Sequence, residues 1–444
     1  MIAPARIAAY ETILAVAAGR ADLPSALART RTSLPDERDR ALAGEIAAGT
    51  LRWQAAFDHI VEQFSGRPPS KLDAEILAIL RISIFQLLYL DRVPASAVVD
   101  DAVEMARKAG KKSAAGFVNA LLRRVSRERT ALPLPQAPPI ELLSVTLSHP
   151  RWLAERWLAR HGTANAEAWE RFDNAPAPLT LRANTLRTTR DALIALLAEA
   201  GVQADPARFA PDGLVVTKGN PLLTPLAHTG LFVVQDEASQ LVGAFVGAAA
   251  GERILDACAS PGGKTTQMAA GMGDAGTIVA ADVRGRRLDL LARTVAESGA
   301  RHVHLVQANA RAAPAFGPVF DAVLVDAPCS GLGTLRRDPD IRWRRAESDL
   351  PPLATAQGEM LDQLATVVRP GGRLVYSTCS SEPEENEAVV DAFLADHPRF
   401  RRATPDLYAK RADLAGLLDP AGALKTLPFR DSLEAFYAAY LLNY

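Results

Sequence analysis

Cys258, Cys329 and Cys379 are the only cysteines in 444 residues, and each stands among the acids, glycines or prolines that a catalytic site needs. Cys258 opens CASPGGK (258–264), Cys329 lies in DAPCSG (326–331) and Cys379 lies in VYSTCS (375–380), each directly after an apolar run that reads as a strand. In an open α/β sheet the carboxyl ends of the strands share one crevice, so thiols far apart in sequence can meet there. A thiolate is a soft, strong nucleophile that adds to electron-poor ring carbons, carbon 6 of cytosine among them. Addition at that carbon turns carbon 5 into an enamine carbon able to attack a sulfonium methyl group. Asp326 is placed to bind and protonate N3 of such a base, and Gly331 and Gly333 let the backbone come close to a flat ring. On this chemistry alone, either Cys329 or Cys379 can be the attacking thiol.

The first of the three segments also reads as a ligand turn. A strand delivers Asp256 into a Gly-rich loop, Cys258, Ala259, Ser260, Pro261, Gly262, Gly263 and Lys264, and a helix opens at about Lys264 with its backbone N–H groups facing a ligand. A phosphate-binding P-loop needs Gly where this chain has Cys258, so the NTPase reading fails. TIVAAD (277–282) then places Asp282 at the end of a second strand, about 20 residues past the glycine turn, where an acid accepts both hydroxyls of a ribose. The ligand is expected to be adenosyl-like, although the spacing also admits NAD. The seven histidines have no metal-ligand spacing and none stands beside a thiol, so neither a metal nor a Cys–His protease pair is expected.

The elements that must position these residues fall into three blocks. Residues 1–130 show helical periodicity at 5–18, 39–64, 71–90 and 96–108 and no strand alternation, so an all-α bundle is expected. Its window 107–129 carries eight basic residues against Glu128, and in FVNALLRRV (117–125) one face can pack while Arg123 and Arg124 project toward phosphates. The Pro-rich run 131–140 reads as a linker and a domain boundary. Residues 141–230, with helical stretches at 150–172 and 188–200 and β-like runs at 179–184 and 213–217, read as a small α+β domain that contacts RNA and connects its neighbours. From 231 to 444 strand-like and helix-like segments alternate, which predicts a parallel, doubly wound α/β sheet. Within it GTLRRDPDIRWRR (333–345) reads as a loop in which Arg336, Arg337 and Arg342 engage phosphates and Trp343 stacks on a splayed base. Apolar residues at 48% and charged residues at 23% exclude a disordered chain. Pro4, Arg6 and Glu11 interrupt the first apolar stretch and Arg81 the longest one, so neither export nor a membrane span is expected, and three free thiols fit the cytoplasm.

Together ILDACASPGGKTT (254–266), DAPCSGLGTLRRDPDIRW (326–343) and VYSTCSSEPEEN (375–386) resemble, in order, the cofactor, substrate and nucleophile signatures of the Sun family of RNA cytosine-C5 methyltransferases. Ahead of them DRALAGEIAAGTLRW (39–53), ILRISIFQLLYLDRVPASAVVDDAV (79–103) and GFVNALLRR (116–124) resemble the NusB-like RNA-binding domain found in one branch of that family. The resemblance implies a NusB-like bundle, a small α+β domain and a Rossmann-like class I methyltransferase sheet. It also implies a cytoplasmic monomer that uses S-adenosyl-L-methionine to methylate carbon 5 of a cytosine in 16S ribosomal RNA. By the same resemblance Cys379 attacks, Cys329 assists release of the methylated base, and Asp326 contacts the cytosine. Residues 258–264 with Asp282, Asn309 and Asp326 hold the cofactor. The same chemistry on tRNA or 23S RNA, and a catalytically silent RNA-binding assembly factor, are the competing readings. Two departures from the family pattern stand out: Asn309 replaces an acid expected near the adenine, and Leu433 and Ala435 replace polar and Gly residues of a final strand pair.

Overall fold

The computed structural model describes residues 2–404, 414 and 416–444. The chain forms two compact units, one of Met1–Pro176 with Leu335–Glu347 and one of Ala177–Thr334 with Ser348–Tyr444.

The first unit is helical: α1 (Pro4–Ala17), α2 (Leu23–Arg31), α3 (Glu37–Arg52), α4 (Gln54–Ser65), α5 (Ala74–Tyr89), α6 (Ala95–Lys108), α7 (Ala115–Arg127), the single turn α8 (Pro139–Glu141) and α9 (Arg151–Asn174), which is kinked at Gly162. The sequence LAILRISIFQLL in α5 is buried almost all round, as befits a central helix. By contrast α7 buries Val118, Leu121, Leu122 and Val125 and leaves Arg123 and Arg124 exposed, as its periodicity predicts. Two expectations change. The helix read over 39–64 is broken at Trp53, whose backbone leaves the helical region while its ring stacks on Tyr89 at 5.3 Å. Helix α2 was not visible in the apolar pattern because it buries only Leu23 and Ala26; its signal is the Asp22 cap, which accepts the Ser25 N–H.

The Pro-rich run 131–140 lies within the first compact unit. The prolines run along the bundle, Leu132 and Leu134 pack on its core, and His59 Nε2 meets the Pro133 carbonyl at 2.9 Å. The helical unit therefore continues through α9, where Trp157 and Trp169 stack at 4.4 Å and are fully buried.

Residues 333–345 were expected to be a loop whose arginines engage phosphates and whose Trp343 stacks on a base; the buried position of Arg342 and the partly buried one of Trp343 correct that expectation. Arg342 is 0% exposed, and its Nη1 donates to the carbonyls of Arg52 (3.1 Å) and Ser148 (3.0 Å) and to Asn174 Oδ1 (3.0 Å). Trp343 donates its indole N–H to the Leu51 carbonyl at 2.6 Å and packs on the core. Arg336 donates to the carbonyls of Ala175 and Pro176 and lies over the Phe172 ring, while Arg337 is half-buried. Composition signals an arginine's charge; it does not signal that buried carbonyls await it.

Around Arg342 the unit buries a charge cluster of His149, Glu170 and Asp173. Burial pushes Asp173 up to about 8 and Glu170 well above the usual carboxylate range, pulls Arg342 down to about 10, and holds His149 neutral. Desolvation thus outweighs the mutual attraction of these groups. Between about pH 4 and pH 8 folded Asp173 keeps a proton that the unfolded chain releases, so stability falls as pH rises through that window. Asp173→Asn is expected to flatten this decline, by at most roughly 1.4 kcal/mol per pH unit. Denaturant titrations of both proteins from pH 4 to 8 measure it, and parallel curves would refute it.

The second unit opens with an antiparallel sheet in the order β2 (Gln203–Pro206), β3 (Gly213–Lys218), β1 (Thr180–Ala183), β4 (Phe232–Val234), with α10 (Arg190–Glu199) against it. Strands β2 and β4 are too short and polar, or too isolated, to have been read from alternation. The large sheet follows: β5 (Arg253–Asp256), β6 (Thr277–Asp282), β7 (Val303–Gln307), β8 (Phe320–Asp326), β9 (Val368–Thr378), β10 (Phe400–Arg402), β11 (Leu424–Lys425) and β12 (Tyr437–Asn443). Its helices are α11 (Glu237–Phe245), α12 (Gly263–Gly271), α13 (Gly285–Ser298), α15 (Leu350–Ala365), α16 (Glu387–Asp396) and the turn α17 (Pro428–Asp431); α14 (Ile341–Arg344) belongs to the helical unit. The order is β10-β12-β9-β8-β5-β6-β7, with β11 beside β12. Strands β5 to β9 are parallel as expected, but β12 runs antiparallel to both β9 and β10, so the sheet is mixed. The chain steps outward from β5 to β7 and then returns to β8 and β9, so the order reverses between β5 and β8, the place where open sheets hold ligands. The final strand pair forms with Leu433 and Ala435 buried beside it. Among the described residues no helix is long and apolar enough to cross a membrane.

Candidate active site

The crevice is built by four strand ends. Strand β8 pairs with β9 in a parallel register that sets Asp326 opposite Ser377, and the chain beyond each carries a cysteine. Cys329 and Cys379, 50 positions apart, meet with their sulfurs 3.3 Å from each other. The hydrogen bond to Cys379, followed by burial, pushes the Cys329 thiol well above its usual range, so Cys329 keeps its proton. Asp326 stands beside them: its Oδ2 accepts from Lys264 Nζ at 2.7 Å and its Oδ1 from Ser377 Oγ at 2.8 Å. Burial works against the Lys264 ammonium, but the charge and hydrogen bond of Asp326 more than compensate and hold it protonated.

Gly333, expected to face a substrate, instead makes the closest backbone approach in this region. Its N–H donates to the Cys379 carbonyl (2.9 Å) and its carbonyl accepts the Ala435 N–H (2.9 Å). A Cβ here would lie 2.0 Å from the Ala435 oxygen and 2.7 Å from the Cys379 oxygen.

The glycine turn follows β5. Gly262 adopts φ +107°, and a Cβ there would come within 2.9 Å of Leu291, so this position needs glycine on both counts. Ala259 donates its N–H to the Ala281 carbonyl, and Ser260 Oγ donates to the Arg287 carbonyl, which tie the turn to β6 and to α13. Asp256 is buried and shifted up to about 7 by desolvation; its Oδ2 accepts from Thr265 Oγ1 (2.7 Å), while its Oδ1 has no partner. Burial and the charges of Asp256, Asp326 and Asp282 push the Cys258 thiol upward, so Cys258 is no nucleophile. These three carboxyl groups stand around the turn, which suits a ligand that carries cationic centres on an adenosyl body. Asp282 ends β6 and accepts the Arg284 N–H at 3.1 Å. Beyond it a cavity of about 290 Å³, lined by Leu255, Val279, Ala281, Val306, Asn309 and Phe316, offers apolar walls wide enough for a flat ring. Asn309 is exposed at its rim.

The structure thus brings Cys258, Lys264, Asp282, Asp326, Cys329 and Cys379 to one edge of the large sheet. Arg123, Arg124, Arg336, Arg337, Arg342 and Trp343 belong to the helical unit. Two residues escaped sequence reasoning. Arg182 of β1 is buried, donates to the Gly263 carbonyl (3.1 Å) and Thr266 Oγ1 (3.0 Å), and so braces the glycine turn; an arginine inside the apolar strand LTLRAN was its only signal. Glu385, one of several acids in SEPEEN, is 0% exposed and binds the loops of both thiols.

Residues 245–442 match the 16S rRNA methyltransferase RsmB/F family model, residues 3–127 the NusB family, and residues 149–222 the ferredoxin-like domain of RsmF/B-like methyltransferases. The ribosomal RNA small subunit methyltransferase B of Pseudomonas putida is 37% identical over 445 residues, 99% of this chain and 98% of that one. The chain belongs to this family. The probable ribosomal RNA small subunit methyltransferase B of Bacillus subtilis is 34% identical over 90% of each chain. Among solved structures, a methyltransferase homolog protein from Pyrococcus horikoshii is 26% identical, covers 69% of this chain and 100% of its own, and superposes with a TM-score of 0.57. The crystal structure of PH0851 reaches 0.81 at 27% identity over 99% of both chains. The family thus combines the NusB-type helical domain, the small ferredoxin-like domain and the methyltransferase sheet that this chain contains.

Gly333→Ala is expected to destabilise the protein by ~1–3 kcal/mol, because neither neighbouring backbone can withdraw. It should also raise the alkylation rate of Cys379 relative to Cys258, measured by peptide mass after brief iodoacetamide treatment. An unchanged ratio would refute this.

Proposed function

We propose that this protein methylates carbon 5 of a cytosine in 16S ribosomal RNA through a covalent bond between Cys379 and carbon 6 of the base. The observation that carries the reading is the pair of sulfurs 3.3 Å apart beside the Lys264–Asp326 ion pair. The relatives' printed names supply the substrate class, and membership of their family supports it.

S-adenosyl-L-methionine, held by residues 258–264 with Asp282, Asn309 and Asp326, supplies an electrophilic methyl group when bound. Cys379 adds to carbon 6 of the base, with Cys329 as the protonated partner of the pair. Asp326, kept in place by Lys264 and Ser377, meets the N3 edge of the cytosine and passes it a proton from the Lys264 ammonium, which neutralises the negative charge that the addition creates and goes back to Lys264 when the base is released. Carbon 5 then carries the electron pair that takes the methyl group. Carbon 5 then loses its proton to solvent, the carbon 6–sulfur bond breaks and its electron pair returns to Cys379 as a thiolate, a release that Cys329 assists. Arg123 and Arg124, exposed on α7, are proposed to contact RNA phosphates. Such an enzyme works in the cytoplasm, where ribosomal subunits assemble.

Cys379→Ala is expected to bind S-adenosyl-L-methionine but to leave 16S RNA unmethylated, as read by transfer of a labelled methyl group. Methylation at the wild-type rate would overturn the assignment. Cys329→Ala should accumulate protein on RNA as an adduct that survives denaturing electrophoresis, and its absence would remove the release role. Methylation of tRNA or 23S RNA in preference to 16S RNA would reassign the substrate.

A further inference from the structure

The parallel ladder between β8 and β9 ends at Asp326 and Ser377, yet the thiols lie three and two residues farther on, where no ladder pair holds the chains. Beyond that register the buried Glu385 side chain links the two loops, beside the Gly333–Cys379 backbone hydrogen bond and the Ser330–Ser380 hydroxyl contact. Glu385 ends the turn Pro383–Glu385 and points back under the cysteines. Its Oε1 accepts the backbone N–H of Ser330 at 2.8 Å and Gln357 Nε2 at 3.0 Å, and its Oε2 accepts Ser380 Oγ at 2.5 Å. Ser330 directly follows Cys329 and Ser380 directly follows Cys379. The two serine hydroxyls also meet at 3.1 Å, Gln357 donates as well to the Pro328 carbonyl, and the Glu385 carbonyl accepts the Tyr376 hydroxyl. Three donors converge on the two oxygens of one carboxyl group.

We propose that Glu385 is a positioning residue that sets the separation of the two thiols, by gripping the residue after each of them with a single carboxylate. The proposal rests on the reading of Cys329 and Cys379 as the working pair. A side chain shorter than Glu385 leaves the Ser330 N–H and Gln357 amide facing each other without an acceptor, and the loops lose their shared anchor. Glutamine keeps the contacts: its carbonyl accepts from Ser330 and Gln357, and its amide donates to Ser380 Oγ, whose own proton turns to Ser330 Oγ.

The test uses the full chain and a readout that needs no activity. Diamide takes one hydrogen from each thiol and becomes a hydrazine while the thiols join as a disulfide; the Cys329–Cys379 linked peptide is followed by mass. Wild type and Glu385→Gln are expected to form this link rapidly, and Glu385→Ala at least about tenfold more slowly. In methyl transfer to 16S RNA, Glu385→Ala should lose about a hundredfold in kcat, the usual consequence of an ångström-scale misplacement. Its KM values for RNA and S-adenosyl-L-methionine should stay near wild type, and Glu385→Gln should recover most of the rate. Ser380→Ala removes the Cys379-side contact to Glu385, together with the hydroxyl contacts to Ser330 and the Glu382 N–H, but leaves Glu385 on Ser330 and Gln357; it should slow the link too, which keeps the test decisive should Glu385→Ala not fold. Linking at the wild-type rate in Glu385→Ala or Ser380→Ala, a loss carried by KM rather than kcat, or a Glu385→Gln protein no better than Glu385→Ala would overturn the proposal. Methylation that survives in Cys379→Ala would instead overturn the functional reading and leave the linking result standing.

Discussion

The site depends on the parallel register of β8 with β9. Setting Asp326 opposite Ser377 places two successive chain ends on the same rim of the sheet, and everything chemical at this rim is an extension of that one alignment. A slip of one residue would turn Asp326 and Ser377 to the other face and separate their hydrogen bond. With the register in place, Lys264 from the neighbouring turn reaches Asp326, and the thiols arrive in contact with each other. A parallel pair needs a long crossover, and here the crossover between β8 and β9 carries Cys329, leaves the unit after Thr334, and returns at Ser348.

That excursion gives the arginine-rich segment its meaning. Arg342 and Trp343 donate to buried carbonyls of the helical unit, so this stretch contributes to the packing of that unit as well as to the connection between strands. The buried cluster around Arg342 is costly, since Asp173, Glu170, His149 and Arg342 all shift toward their neutral forms. Such a cluster offers little net stability compared with an apolar filling of the same volume, but it tolerates few alternative arrangements.

Charge is arranged differently at the rim of the large sheet. There Lys264 stays an ion because Asp326 faces it at 2.7 Å, whereas Asp256, deeper in the sheet, is shifted to about 7 by desolvation although Thr265 donates to it. Acids a few residues apart therefore serve in different states, set by depth and partners rather than by residue type. The glycine turn is braced by Arg182 from the small sheet, which ties the ferredoxin-like domain to the geometry of that turn.

Much of this was legible in the linear chain. Strand ends are marked by apolar runs that stop at Gly, Pro or Asp, so the placement of Cys258, Asp282, Cys329 and Cys379 on one sheet edge follows from sequence, as do the helical bundle and the glycine turn. What sequence did not contain is which polar residues face inward. Glu385 and Arg342 look like members of charge runs, and only the folded chain turns one toward Ser330, Gln357 and Ser380 and the other toward the carbonyls of Arg52 and Ser148. The antiparallel place of β12 and the continuation of the helical unit to Pro176 were hidden for the same reason. Periodicity records what a residue prefers to bury, whereas the partner of a buried polar group comes from chain segments that are far away in sequence and meet only in the tertiary structure.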